Sequence, residues 1–88
     1  MDIDNTNEVT YTFLRDLDTN DYTVMATGWD NDNTQMIYGV IADMGSGADR
    51  KVGTVKITFK GSDGTTPDMK DANVQFSWAI YGAKLKNA

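Results

Sequence analysis

The sequence predicts an all-β protein, a small five-stranded antiparallel sandwich or barrel with meander or Greek-key connections. Three observations lead there. Four segments alternate apolar and polar residues with period two, none of the 88 residues falls into a 3.6-residue helical pattern, and Asp-, Asn- and Gly-rich turns separate the alternating runs.

Residues 1–7, with Asp2 and Asp4, are expected to form a flexible acidic arm ahead of a single β domain over residues 8–88. The first strand runs Val9 to Phe13, where Val9, Tyr11 and Phe13 alternate with threonines. It ends in the turn cluster Asp16, Leu17, Asp18, Thr19, Asn20, Asp21, whose side chains can bond their own backbone. The second strand, Tyr22 to Trp29, sets Tyr22, Val24 and Ala26 on one face and Thr23, Met25, Thr27 and Trp29 on the other. Asp30 to Asn33 make the next turn. The third strand, Thr34 to Met44, is apolar on both faces, which predicts a central strand buried on both sides.

Asp43 to Arg50, with Gly45 and Gly47, reads as a flexible loop. The fourth strand, Val52 to Lys60, turns Val55, Ile57 and Phe59 inward, and Val52 falls out of phase, predicting a bulge at Gly53. Gly61 to Asp71 is the longest loop, with one helical turn expected around Pro67 to Lys70, and is a candidate interaction loop. The fifth strand, Ala72 to Leu85, puts Val74, Phe76, Trp78 and Ile80 on one face and changes phase at Gly82. Phe76, Trp78, Ile57, Phe59, Tyr11 and Val24 are the expected core. Lys56 and Lys60 are expected to guard a sheet edge, and an edge without such charges would be a surface for assembly.

Composition narrows the function. The chain has no cysteine and no histidine. Disulfides and zinc sites of the usual kind are therefore excluded, and so is a nucleophile activated by histidine. No cofactor is expected, since Gly45, Ser46, Gly47 lacks the ending a phosphate-binding loop needs. An EF-hand also fails: counted from Asp30, the sixth and twelfth positions are Gln35 and Ile41, where glycine and glutamate are required. Enzymatic activity is not expected. No signal peptide is expected from the opening residues, Met1 to Asn7. The longest apolar block, Met36 to Ala42, is too short to span a bilayer as a helix.

A net charge of −5 disfavours direct contact with nucleic acid. That charge is unevenly placed. Residues 1–49 carry ten acids against Arg15, a balance of −9, and residues 50–88 carry seven bases against three acids, a balance of +4. Either the two halves neutralise each other across strands, or the molecule is dipolar and meets copies of itself or a basic partner. The interaction candidates are Asp16, Asp18, Asp21, Asp30, Asp32, Lys84 and Lys86, together with Trp29, which shares with Met25 either a second core layer or an exposed apolar patch.

Two resemblances add to this. The segment Asn73 to Lys86, about a sixth of the chain, resembles the closing strand of tailed-phage tail-tube and related virion proteins, a long alternating strand ending in a glycine and a short basic tail. Asp21, Tyr22, Thr23, Val24 with Gly28, Thr34 and Gln35, in about a third of the chain, is similar to the strand region of small acidic anti-CRISPR inhibitors. Both imply a phage-encoded, non-catalytic protein. The first implies a self-associating virion structural or accessory subunit, and the second an inhibitor that mimics phosphate in the basic cleft of a nucleic-acid enzyme.

Overall fold

Period-two alternation becomes one curled antiparallel sheet. The computed structural model describes residues 2–42, 44–45 and 47–87, without the side chains of Asp2 and Asp4. Met1 of the expected arm and Asp43 of the expected third strand lie outside the described residues, as do Ser46 and Ala88. The strands are β1 (Asp2–Asp4), β2 (Glu8–Thr12), β3 (Thr23–Asp30), β4 (Gln35–Ile41), β5 (Thr54–Gly61) and β6 (Val74–Tyr81), with one 3-10 turn at Gly47–Asp49. The last five are the expected strands, with β4 and β6 shorter at both ends and β2, β3 and β5 displaced by one or two residues. The first is new: the segment expected as a free arm lays Ile3 opposite Val9, because an edge strand leaves backbone groups that a neighbouring extended segment can pair.

Across the sheet the order is β1-β2-β5-β4-β3-β6, every neighbour antiparallel. Strands β3, β4 and β5 form a meander, with β2 beside β5 and β6 beside β3. That order contains two overlapping Greek keys. Lys56 and Lys60 therefore guard no edge, since β5 lies between β2 and β4.

The curl sets the core. Val9, Ile37, Val55, Ile57 and Phe59 line the concave side and are buried. Gly39 makes the tight curl possible: a Cβ there would meet Ile57 Cγ2 at 2.4 Å and the Ala26 Cβ at 2.7 Å, so the strands approach where a side chain is missing. Leu17, expected in a turn, is buried, because it forms an isolated antiparallel bridge with Leu85. The bridge is reinforced where Asp18 N donates to Lys84 O and Lys86 N donates to Asp16 O, both at 2.8 Å. Gly82, at φ +88, turns the chain out of β6 towards that bridge, so the expected change of phase is the end of the strand.

At the other end the loop after β5 forms no helix, and where a helical turn is expected it makes one hydrogen-bonded turn, with Asp71 N donating to Asp68 O at 3.1 Å. It folds over the core, with Pro67 and Met69 buried and Met69 N donating to Thr6 O at 2.7 Å. The candidate interaction loop is therefore a lid on the core, anchored from inside.

Of the expected core, Ile57 and Phe59 are buried, Phe76, Trp78 and Val24 pack partly buried against them, and Tyr11 sits half-exposed. Trp78 and Tyr11 meet across the open side of the curl, ring centroids 5.1 Å apart. Since Trp78 is only partly enclosed, Trp78→Ala is expected to cost about 2 kcal/mol in urea unfolding, less than the ~3 to 5 of a fully enclosed aromatic. A loss at the upper figure would mean that the open side is closed in solution.

Candidate interaction surface

The convex side of the sheet is bare. Pleating sends every second residue of β3 and β4 outward, and these are Met25, Trp29, Met36, Tyr38 and Val40. Register brings them together: Trp29 lies opposite Met36, and Thr27 opposite Tyr38. Met25 is 61% exposed, Met36 57%, Tyr38 48% and Trp29 40%. The Trp29 indole donates to Asn31 Oδ1 at 2.9 Å, which holds the ring at the strand end with its face open. On the neighbouring strand Tyr81 extends the patch beside Thr23. β4 is central, as its two apolar faces predicted, but burial covers one face only.

The free margin of this surface is β6. It pairs with β3 along its length and with no strand on its other side among the described residues. Asn31 N donates to Asn73 O, so the odd-numbered residues bond to β3, and the alternation of an antiparallel ladder turns the N–H and C=O groups of Phe76, Trp78 and Ile80 to the open edge. Its sequence, VQFSWAIY, carries neither a charge nor a proline. Beside this edge runs an apolar groove of about 490 Å³, lined by Tyr11, Phe13, Leu17, Trp78, Ile80 and Leu85 among others.

The charged candidates fall at two ends. Asp16 and Asp18 stand with Lys84 and Lys86 at the bridged end, where Asp18 Oδ1 accepts from Lys84 N at 3.1 Å and Arg15 Nε donates to Lys86 O at 2.7 Å, and Asp21 lies beside Arg50. Acid and base stand side by side there, so the separation along the chain does not become two opposed halves in space. Glu8 and Lys56 repeat the theme across β2 and β5, at 3.6 Å.

Asp30 and Asp32 occupy the other end and differ in kind. Asp30 is 0% exposed and holds the β3–β4 turn. Its Oδ1 accepts from Asp32 N at 2.9 Å and Asn33 N at 3.3 Å, and its Oδ2 from Asn33 Nδ2 at 2.9 Å and Gln35 Nε2 at 3.4 Å. Gln35 in turn donates to Thr65 O at 2.8 Å, tying the turn to the lid. Buried this way, Asp30 is no surface candidate. The Asn33 side-chain amide, against the opposing effect of burial, holds its carboxyl below the usual carboxylate range. Asp32 is exposed, and its carboxyl is pushed up first by the facing side chain of Asp71, which the same contact pulls down. The two carboxyls share one exposed corner at the start of β6. The sequence had no signal for Asp71, whose partner is 39 positions away and reached only through the β3–β6 ladder.

Among the described residues no group of three acidic side chains is arranged to hold a metal ion. The chain matches no known family model, no curated protein and no solved structure.

Proposed function

We propose that the chain is a non-enzymatic protein-interaction module that self-associates, as a structural or accessory subunit of a repeated assembly such as a phage virion. The observation that carries this reading is the bare convex face of β3 and β4, with Met25, Trp29, Met36 and Tyr38 each at least 40% exposed on one surface. An apolar surface of this kind marks a protein contact. It also suits a small domain, which buries only ~60% of the surface of its unfolded chain and gains stability from association. The resemblance of residues 73–86 to virion closing strands supports the same class.

The acidic-inhibitor reading has less support. Phosphate mimicry needs acids on one face, whereas Asp16 and Asp18 are interleaved with Lys84, Lys86 and Arg15, and Asp21 lies beside Arg50.

Sedimentation of the purified chain over a range of concentrations tests the proposal. The expected mass is at least twice that of one chain, and it should persist from ~0.1 M to ~1 M salt, where the Debye length shrinks from ~10 to ~3 Å. Tyr38→Lys, at a half-exposed position, should weaken association about tenfold, ~1.4 kcal/mol, without lowering the melting temperature. A chain that sediments as a monomer at every concentration and salt would reject self-association.

A further inference from the structure

We propose that two copies of this chain pair antiparallel through the open edges of their β6 strands, making one continuous sheet across a two-fold axis near Ser77 and Trp78. The proposal rests on the self-association reading and adds to the convex face a second contact, the strand edge beside it. Three observations support a second copy as the occupant. The edge is long, uncharged and free of proline, so nothing on it resists strand addition. Its outward groups are the N–H and C=O of Phe76, Trp78 and Ile80 and the C=O of Val74, whose N–H is taken by Asp71 O, and antiparallel self-pairing centred on the strand gives Phe76, Trp78 and Ile80 partners of the same set.

The third observation is charge. The start of β6 is acidic, with Asp32 and Asp71 facing each other, whereas beyond its end Lys84 and Lys86 stand among Asp16 and Asp18 and balance them. Among the described residues none of these forms an ion pair. Antiparallel self-pairing lays the acidic start of one strand beside the balanced end of the other, within reach of its two lysines, twice by symmetry. A parallel arrangement would set like beside like. Pairing also covers the groove along Trp78, Ile80 and Leu85 with the same side chains of the second copy, and carries the convex apolar face across the join.

The test reads the edge itself. Amide exchange of the unmodified chain is measured by NMR at a concentration where it is monomeric and at one where sedimentation shows it associated. Pairing predicts that the Phe76, Trp78 and Ile80 amides gain at least about tenfold protection on association, while amides already in the β3–β4 ladder change little. A second measurement uses charge. Lys84→Glu with Lys86→Glu should weaken self-association several-fold, and so should Asp32→Lys with Asp71→Lys in another chain, both checked for folding by circular dichroism. Mixing the two variants should restore pairing, because acidic and basic ends then meet at both sides of the axis. If the chain associates but the three amides stay unprotected, edge pairing is wrong and self-association stands. A chain that is monomeric throughout overturns both and leaves the edge to an extended segment of another protein.

Discussion

Phe59→Ala is expected to leave the protein largely unfolded at room temperature. Phe59 is 0% exposed at the centre of the concave face, and its ring meets Phe76 at 5.1 Å. Its backbone cannot shift to fill the space: Phe59 N donates to Asn7 O at 2.8 Å, and Asn7 Nδ2 returns a bond to Phe59 O at 3.0 Å. With β2 on one side and β4 on the other, the walls of the cavity are fixed. Truncating an enclosed phenylalanine costs ~3 to 5 kcal/mol, against a total of ~5 to 15 for a typical domain. Urea unfolding should show a midpoint near zero denaturant, and a loss below about 1 kcal/mol would mean that the centre of the curl is loosely packed.

The second large effect is expected at Asp30→Asn, which keeps the shape and removes the charge. Four donors converge on this carboxylate, from Asp32 N, Asn33 N, Asn33 Nδ2 and Gln35 Nε2. An amide presents one oxygen and turns an NH₂ group towards the remaining donors, so the loss should be about 3 kcal/mol. There is a pH signature as well. A carboxyl held below its unfolded value stabilises the fold above the unfolded pKa, and that contribution disappears as pH falls through the lower, folded pKa. The unmodified chain should therefore lose stability below about pH 4, and Asp30→Asn should flatten that acid limb. An unchanged acid limb in the variant would assign it to other carboxylates.

Strand positions were legible because pleating imposes period two wherever one face is buried, as Val55, Ile57 and Phe59 show against Thr54, Lys56 and Thr58. Strand order was not, since alternation says which face is apolar and nothing about which neighbour it pairs with. So Lys56 and Lys60 point to an edge on β5, which lies inside the sheet. Leu17 lay hidden among aspartates, and only its bridge to Leu85 accounts for its burial. Asp30 reads as a solvated turn residue until Gln35 and the Thr65 carbonyl close over it. On the second strand Trp29 and Met25 were placed on one face correctly, but alternation is the same whether that face meets another layer or water. Of the charged candidates, Asp16, Asp18, Asp21, Asp32, Lys84 and Lys86 are exposed and Asp30 is buried, and the meeting of Asp32 with Asp71 depends on a ladder that no local pattern encodes.

The Leu17–Leu85 bridge also bears on the order in which the molecule assembles. Strands β3, β4 and β5 follow one another, β3 and β4 through a four-residue turn, whereas β2 reaches β5 only after the meander has folded, and the bridge joins positions near the two ends of the chain. Closing wide loops costs entropy that only the finished core returns, so non-local pairings form late. The bridge is then the last contact made in folding and the first released in a fluctuation. While it is open, β6 hangs from β3 alone and VQFSWAIY is at its most available. A meander that has folded before the bridge has closed is therefore the species whose β6 edge is most open to another strand, and the rate of closure at Leu17 and Leu85 sets how long it stays so.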